Sequence, residues 1–549
     1  MNSLILVVLF FRFCSCDPGQ NTRRSDPRTN TPLGTIEGSF QISSDGRLIE
    51  AYEGIAYALP PIGDLRFEIP KPISSPWPDV LMAKAPGSRC LQYNTESKIT
   101  VQKLSGSENC LFLNVYKPST STQNPLPVLV FFHGSNFIAG AGSDYKPNHL
   151  LDRDLILVTI NYRLGALGFL STEDHIVPGN MGLKDQVIAL RWVKDNIASF
   201  GGDPSRITII GHGAGGISVQ FFYFTNKTAG LFSRGMSISG TVLQPQALVQ
   251  KPLLKTKKVA SLVGCPTSNI RSMVDCLKAQ PADKIALTLK DFELLPGVSS
   301  TAFGPVQEKG PGDFKMIDRP PMESLAAGYV QNLPWYLFSV EEEGQITSSG
   351  LINNPIQLYL LDTNFEKIAP SLLHYDDTVQ EMNESPRTRR VREYYLQRRP
   401  INLISVEKVT EMMTDWLYRI GNEKAARMHA RAIRSPVYCY FFTYKSSTIN
   451  YGVSHYNDLV YLFPTSFTLK TQQDLKMQKK MINFWASYVT NGTANMGVEW
   501  SSLNPCQTEF RYLEIAGPEQ IYMNGSTNFG NKEFWKTIDF QENILPYVS

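Results

Sequence analysis

Residues 211–215, Gly-His-Gly-Ala-Gly, constrain the fold of this chain more than any other stretch. Before them, residues 207–210 form a β-branched run typical of a buried strand, and residues 216–220 after them open an apolar, helix-like segment. This is the outline of the strand–turn–helix motif G-x-S-x-G, in which a strained turn presents a serine hydroxyl above a sheet. Gly213 stands in the place of that serine. The sequence therefore predicts the turn without its nucleophile.

Strand patterns alternate with helical patterns along the chain. Residues 127–132 and 155–160 are continuous apolar runs, as expected for strands that are covered on both faces. Between the second run and residue 207, apolar residues recur at helical spacing from Leu183 to Ile197, and a Gly-Gly-Asp-Pro stretch at 201–204 ends the segment. This alternation predicts an α/β fold with a large, mostly parallel sheet and helices on both faces.

Length and composition describe one ordinary globular protein. The 549 residues exceed the usual length of a single domain, but no linker-like stretch divides them, so residues 17–549 are predicted to form one domain. Hydrophobic residues make up 42% and charged residues 19%, which is enough for a substantial core. A net charge of +3 is too small to indicate a nucleic-acid partner. No metal site and no cofactor are predicted.

The N-terminal residues resemble a secretory signal. Residues 4–11 form an apolar stretch that is too short to span a bilayer, and residues 14–16 offer small side chains for cleavage. The alternative is a membrane anchor, against which Arg12 interrupts the apolar run. No later segment is apolar enough to be a transmembrane helix. We therefore expect a signal peptide over residues 1–16 and an extracellular protein.

Six cysteines remain after the predicted signal. Near neighbours in sequence are plausible bridges in an oxidising compartment, and two such pairs would each close a short loop. These pairs are Cys90–Cys110 and Cys265–Cys276. Cys439 lies in a strand-like run, so a buried free thiol and a bridge to Cys506 both stay open.

Two further sets of residues bear on the surface. Sequons for N-glycosylation begin at Asn226, Asn383, Asn491 and Asn524. The sequon at Asn383 is the weakest because Pro386 follows it. Arginines cluster at Arg387, Arg389, Arg390, Arg392, Arg398 and Arg399. They form either a solvated helix face beside neighbouring acids or a patch for anionic glycans or a membrane surface.

Five motifs resemble those of the type-B carboxylesterase and cholinesterase family, and within it the secreted insect carboxylesterases. They occupy residues 54–67, 108–115, 161–165, 182–186 and 200–204, in the order of the family. Ala56 replaces the usual proline in the first motif, and Asn109 replaces an acidic residue in the second. The match covers nearly the whole mature chain. It implies the α/β-hydrolase fold and the same two disulfides that the spacing suggests.

The resemblance also implies a catalytic triad. The family hydrolyses carboxylic esters with Ser, Glu and His in that chain order, and the matching positions here are Gly213, Glu343 and His455. Glu343 is aligned by the glycine that follows it, and residues 452–459 around His455 match closely. The acid and the base of the triad are therefore retained, whereas glycine replaces the nucleophile.

The oxyanion hole is altered as well. Family members hold the oxyanion on backbone N–H groups of a His-Gly-Gly-Gly-Phe loop and of the residue after the serine. The loop here reads His-Gly-Ser-Asn-Phe at residues 133–137, so Ser135 and Asn136 replace two glycines. Asparagine tolerates a positive φ better than most residues, but both side chains are expected to crowd the hole. Ala214, the third donor position, keeps the usual residue.

These changes predict a protein without esterase activity. In a serine protease, loss of the nucleophile lowers turnover roughly 10⁶-fold, and loss of one oxyanion donor costs roughly 10²–10³-fold. Ser218 is expected to point into packing, and nothing in the sequence places Ser135 within reach of His455. The family that this chain resembles includes non-catalytic members, such as neuroligins, neurotactin and glutactin, that contact partner proteins. We expect a secreted pseudoesterase that binds a hydrophobic ester-like ligand or an extracellular partner protein. The alternative is an active carboxylesterase that acts on small or lipophilic esters.

Overall fold

The chain folds around a large twisted sheet. The computed structural model describes residues 25–93, 104–120, 124–295, 298–299, 302–352, 354–378, 381–447, 452–465 and 469–540. The predicted signal, residues 1–16, lies outside these ranges.

Strands occur from one end of the described chain to the other. In chain order they are β1 Arg28–Thr31, β2 Gly34–Glu37, β3 Ser39–Ile42, β4 Leu48–Ala56, β5 Leu81–Met82, β6 Gln92–Tyr93, β7 Leu104–Ser105, β8 Phe112–Pro118, β9 Leu126–Phe132, β10 Ile156–Ile160, β11 Gly202–His212, β12 Arg234–Ile238, β13 Glu293–Leu295, β14 Val298–Ser299, β15 Trp335–Val340, β16 Val437–Phe442, β17 Phe510–Gly517 and β18 Gln520–Ser526.

Eleven of these strands form the main sheet, in the order β18-β17-β16-β15-β12-β11-β9-β10-β8-β4-β3. Neighbouring strands from β17 to β10 run parallel. Antiparallel pairing occurs at the two margins, where β18 joins β17 and where β8, β4 and β3 follow β10. The predicted mostly parallel sheet is therefore confirmed.

The helices are α1 Gly165–Phe169, α2 Met181–Asn196, α3 Ala214–Phe222, α4 Pro252–Leu262, α5 Ile270–Ala279, α6 Ala282–Leu287, α7 Pro321–Ala326, α8 Gln345–Ile352, α9 Pro355–Thr363, α10 Phe365–Leu372, α11 Glu381–Leu396, α12 Val406–Thr414, α13 Ile420–Ala432, α14 Gln472–Asn491 and α15 Lys532–Trp535.

Helices cover both faces of the sheet, as the continuous apolar strands predict. Alternate residues of β9 point to opposite faces, and each set joins a different apolar cluster. Val128 and Val130 pack in the cluster that includes α2 and α3, whereas Leu129 and Phe131 pack in the cluster that includes α14. The rings of Phe131 and Trp485 of α14 lie 6.3 Å apart. A central strand of this sheet can therefore be apolar at every position.

A third apolar cluster is helical and was not predicted from the sequence. It is built from α8 to α12 together with Trp416 and Trp535, whose rings stack 4.7 Å apart. One turn between α12 and α13, Asp415–Arg419, is a π-helix. Such wide turns are rare and often occur at functional sites. The buried carboxyl group of Asp415 accepts hydrogen bonds from Tyr395 and Arg419, so an acidic residue is buried beside this apolar cluster.

Disulfides join Cys90 to Cys110 and Cys265 to Cys276, the pairs that the sequence suggests. The open question about Cys439 is answered in favour of a free thiol. Cys439 is buried in β16, and Cys506 is a free and exposed cysteine. Burial raises the pKa of the Cys439 thiol, because a thiolate is poorly solvated in the interior. Cys439 is therefore an inert packing residue.

The sequons and arginines lie largely at the surface. Asn226 and Asn491 are exposed, and Asn524 is half-buried, with its amide donating to Glu514. The sequon at Asn383 falls at the start of α11, and its side chain is outside the described set. Arginines on α11 contact other segments of the chain, for example Arg392 with Asp362 of α9 and Arg390 with Thr537. Among the described residues, every helix is too short or too polar to cross a bilayer.

Candidate active site

The carboxyl ends of four strands from the parallel part of the sheet lie at one edge, with β12 between two of them. Strand β11 leads into Gly213, β9 into the loop at 133–137, β15 into Glu343, and β16 precedes the loop that carries His455. Ligand sites of α/β sheets form at this edge, because the loops that leave adjacent strands meet there. Residues that are far apart in the sequence can therefore share one site.

Gly213 forms a sharp turn between β11 and α3. Its φ of 53° and ψ of −115° lie in a region that residues with a side chain enter only under strain. Its N–H donates to Ile238 at the end of β12, 2.7 Å away, and its carbonyl accepts from Ile217 in α3. At Gly215, a Cβ would collide with the Phe132 carbonyl. Gly215 is thus required by packing of the backbone, whereas Gly213 is only favoured by its φ.

The imidazole of His455 lies directly above Gly213. A Cβ atom added to Gly213 would be 3.0 Å from Nε2 of His455 and 4.0 Å from Cα of Gly134. Both the imidazole and the loop after β9 therefore lie close to the point where a side chain at 213 would begin. Glycine leaves that point open.

Glu343 and His455 form a buried pair. Nδ1 of His455 is 2.6 Å from Oε2 of Glu343, and their side chains are 4% and 0% exposed. The other oxygen of Glu343 accepts hydrogen bonds from the Ser339 hydroxyl at 2.9 Å and from the Val340 N–H at 3.0 Å. With both oxygens engaged, the carboxylate is fixed and Nδ1 carries a proton toward it. Nε2 then faces Gly213.

The loop after β9 has an unusual backbone. Ser135, Asn136 and Phe137 have φ values of 68°, 52° and 61°, so three consecutive residues with side chains adopt the left-handed conformation. The Ser135 hydroxyl lies 3.2 Å from the Tyr456 hydroxyl, and Asn136 is exposed. The structure thus places Ser135 beside the residue after His455. A loop that glycine would enter freely is here built from residues whose side chains cost about 1–2 kcal/mol each in strain.

Neither Ser218 nor Ser135 occupies a nucleophile's position. The Ser218 hydroxyl is buried one turn inside α3 and donates to the Ala214 carbonyl at 3.0 Å, as expected from the sequence. The Ser135 hydroxyl is engaged with Tyr456, as described above.

Sequence reasoning missed His212, which supports His455. The Nε2–H of His212 donates to the His455 carbonyl at 2.7 Å, and burial holds the pKa of His212 well below its usual range. A neutral His212 therefore anchors the backbone of the base. The position of His212 inside the Gly-His-Gly-Ala-Gly turn is the one sequence signal that could have found it.

Comparison with known proteins identifies the family of this chain. The sequence profile described as "Carboxylesterase family" matches residues 25–535. The chain belongs to the carboxylesterase family. It is 40% identical to venom carboxylesterase-6 of Apis mellifera over 533 residues, covering 94% of this chain and 95% of that protein. It is 35% identical to juvenile hormone esterase of Tribolium castaneum over 565 residues, covering 97% and 95% of the two chains.

A solved carboxylesterase-family structure has the same fold. The crystal structure of juvenile hormone esterase from Manduca sexta, with OTFP covalently attached, aligns with a TM-score of 0.79 and 25% identity. The alignment covers 94% of this chain and 99% of that chain. The α/β-hydrolase fold expected from the sequence motifs is thereby confirmed.

This carboxylesterase-family chain also buries a second carboxyl behind the Glu343–His455 pair. Asp458 is fully buried, and burial together with the nearby charge of Glu343 raises its pKa to about 7. The Tyr440 hydroxyl donates to it at 3.2 Å. Asp458 is therefore mostly protonated in the folded protein below pH 7 and ionised in the unfolded chain above about pH 4.

Replacement of Asp458 by asparagine should change how stability depends on pH. Between about pH 4 and pH 7 the native protein holds a proton that the unfolded chain has lost, so the free energy of unfolding falls as the pH rises. The amide of the variant would remain neutral throughout. We expect the stability of the variant relative to the parent to rise by about 1 kcal/mol per pH unit across this window and to level off above it. Urea unfolding at four pH values between about 4.5 and 7.5 measures this. A constant difference across the series would contradict the raised pKa.

Proposed function

We propose that this protein is a secreted carboxylesterase-family member that binds a hydrophobic ester-like ligand, or an extracellular partner, without cleaving an ester. Gly213 in the turn after β11 carries the proposal. It occupies the position that the family motif gives to serine, and it offers no atom for His455 to deprotonate. Nucleophilic catalysis needs the nucleophile within hydrogen-bond reach of its base.

The binding elements around the turn remain well formed, which supports a binding role. The Glu343–His455 pair is fixed, and α3 begins at the turn.

The presence of two disulfides supports secretion, because disulfides persist in an oxidising compartment. The fold keeps the edge of the sheet where ligand sites of α/β proteins form.

The second candidate function is an active carboxylic ester hydrolase. The intact Glu343–His455 pair favours it, as do the relatives named as esterases. Such an enzyme would need a nucleophile other than residue 213. One experiment separates the two functions.

The purified protein should show no covalent labelling by a fluorophosphonate probe and no turnover of p-nitrophenyl acetate above the buffer rate. Gly213 has no hydroxyl to label, and loss of the nucleophile costs roughly 10⁶-fold. Intact-mass analysis after labelling and a spectrophotometric assay measure these outcomes, with Gly213→Ser as the positive control for the probe. Stoichiometric labelling of a serine in the parent protein would establish the active enzyme instead.

A further inference from the structure

Helix α9 turns apolar side chains toward solvent. Its inward residues Leu358 and Leu361 pack in the third apolar cluster. On the opposite side, Ile356 is 70% exposed, Tyr359 is 65% exposed and Leu360 is 36% exposed. These three positions, spaced i, i+3 and i+4, form one face of the helix. A surface helix ordinarily carries polar residues on this face, so the apolar face indicates a binding surface.

The loop after α11 extends this apolar face. The N–H of Ile401 donates to Asp362 of α9 at 2.8 Å, and the Ile401 side chain is buried in the same cluster as Leu361. Two residues further along, Leu403 is 58% exposed, and Ile404 after it is 91% exposed. The inner residues thus hold helix and loop together, whereas the outer residues stay in solvent. The exposed side chains form a surface that we call the α9 patch, which consists of Ile356, Tyr359, Leu360, Leu403 and Ile404.

Positive charge borders the α9 patch. Residues 387–404 contain six arginines and a single acidic residue, Glu393. Arg398, whose side chain is 90% exposed, and the exposed Arg399 lie at the start of the loop that carries the second part of the patch. Glu393 lies 3.8 Å from Arg398, and both side chains face solvent. The excess of arginines over acids makes this border basic.

Negative charge is scarce at the patch itself. Residues 344–361, which form α8 and most of α9, contain no charged side chain. Asp362, the first acid after them, pairs with Arg392 at 2.5 Å, so its charge is compensated. The next acid, Glu366, lies 4.0 Å from Arg389. An anionic surface that approached the α9 patch would therefore meet apolar side chains and arginines, with little repulsion.

We propose that the α9 patch docks the protein onto the surface of an anionic phospholipid membrane. Peripheral segments bind such membranes with exposed apolar side chains beside basic ones, because the apolar groups enter the acyl boundary and the cations lie at the lipid phosphates. A second copy of the chain fits less well, since a stable interface uses about 20–30 residues on each side and the patch has five apolar side chains. An anionic glycan would engage the arginines but leave the apolar side chains in water. The docking does not depend on whether residue 213 supports catalysis.

Vesicle co-sedimentation of the purified protein tests the docking. The parent should bind phosphatidylcholine vesicles that contain about 30% phosphatidylserine at least about tenfold more tightly than vesicles of phosphatidylcholine alone, since each arginine near the surface contributes about fivefold. Raising the salt concentration from about 0.1 M to about 0.5 M should weaken this binding. Absence of binding, or equal binding to the two kinds of vesicle, would overturn the inference.

The double variant Ile356→Ser/Ile404→Ser should bind the anionic vesicles at least about tenfold more weakly, because two apolar side chains no longer enter the membrane. Ile42→Ser/Met82→Ser is the matched control, with side chains 61% and 58% exposed on β3 and β5. It should bind as the parent does. All four side chains are exposed, so both variants should keep the thermal midpoint of the parent. Equal losses in the two variants, or no loss in the first, would place the docking elsewhere and overturn the inference.

The double variant Arg398→Gln/Arg399→Gln should lose most of the preference for anionic vesicles. Arg28→Gln/Arg511→Gln removes the same charge from side chains that are 61% and 43% exposed on β1 and β17. This control should keep the preference. Equal effects of the two changes would show that only the net charge of the protein matters and would overturn the assignment to the α9 patch.

Sedimentation velocity and heparin affinity distinguish two other occupants of this surface. A concentration-dependent dimer that Ile356→Ser/Ile404→Ser abolishes would assign the α9 patch to a second copy of the chain and overturn the inference. Binding to heparin without binding to either kind of vesicle would assign the arginines to an anionic glycan, and it would overturn the inference as well.

Discussion

The Gly213→Ser variant should hydrolyse p-nitrophenyl acetate, whereas the parent should not. A Cβ at residue 213 lies 3.0 Å from Nε2 of His455, so the imidazole has to retreat by only a few tenths of an ångström for the serine hydroxyl to reach it. Glu343 already holds the ring in the orientation that a general base requires. The variant therefore restores a nucleophile to a site whose base and acid are in place.

The restored activity should still be roughly 10²-fold or more below that of a typical relative. Ser135 and Asn136 occupy the loop whose N–H groups would hold the oxyanion, and the Ser135 hydroxyl is engaged with Tyr456. The triple variant Gly213→Ser/Ser135→Gly/Asn136→Gly should recover much more of the rate. The single variant should also lose about 1–3 kcal/mol of stability, because serine at a φ of 53° is strained.

The value of kcat/KM on a short-chain nitrophenyl ester and the thermal midpoint of the parent, single and triple variants measure these effects. Gly63→Ser is the control for a serine at positive φ, since Gly63 has a φ of 57° and nothing within 4 Å of an added Cβ. If the single variant reached ordinary carboxylesterase rates, the altered loop would be shown to be harmless. An isolated loss of the serine would then be the better account.

Loss of Arg163 should destabilise the fold by about 3–5 kcal/mol. Arg163 and Asp185 form a bidentate pair at 2.8 and 2.7 Å, with side chains that are 4% and 0% exposed. Arg163→Met would leave the Asp185 carboxylate buried without its cation. In the parent, the backbone N–H of residue 163 donates to the Asp185 side chain at 3.0 Å. Adding Asp185→Asn to Arg163→Met removes the unpaired charge and keeps an acceptor for this backbone N–H. The double variant should therefore be more stable than Arg163→Met alone.

A surface pair of the same residue types provides the control. Arg206 and Asp203 are also 2.8 Å apart, but their side chains are 34% and 24% exposed. Solvent screens such pairs, so Arg206→Met should cost less than about 1 kcal/mol. Chemical unfolding of the four proteins measures the differences. Similar losses for Arg163→Met and Arg206→Met would show that burial of the first pair contributes nothing.

The sequence predicted the parts of the fold in which one signal dominates. Strands β9 and β10 are apolar at nearly every position, and only a strand buried on both faces can hold such a run. The helix from Leu183 to Ile197 had a clear period and is α2, Met181–Asn196. The helical cluster from α8 to α12 had no such signal. Its core includes Trp416 beside the buried, acidic Asp415, and no period can indicate that a carboxyl group is inside.

The site also has parts that the sequence predicts and parts that it does not. The position of His455 came from a motif that residues 452–459 support, whereas Glu343 was aligned only by the glycine that follows it. The structure brings the two side chains to 2.6 Å. The contact between Ser135 and Tyr456 could not be predicted, because it joins two loops 321 residues apart through single hydroxyl groups. The same holds for His212, whose partner is a backbone carbonyl that no sequence pattern marks.

The Glu343–His455 pair also contributes to the stability of the fold. The carboxylate of Glu343 ties the end of β15 to the loop of His455, through bonds from Ser339, Val340 and the imidazole. Deleting either partner would strand a buried polar group, at about 1–3 kcal/mol. Such a pair therefore stabilises the fold whether or not it takes part in a reaction. The pair by itself therefore does not establish catalysis, which also requires a nucleophile within hydrogen-bond reach of the imidazole.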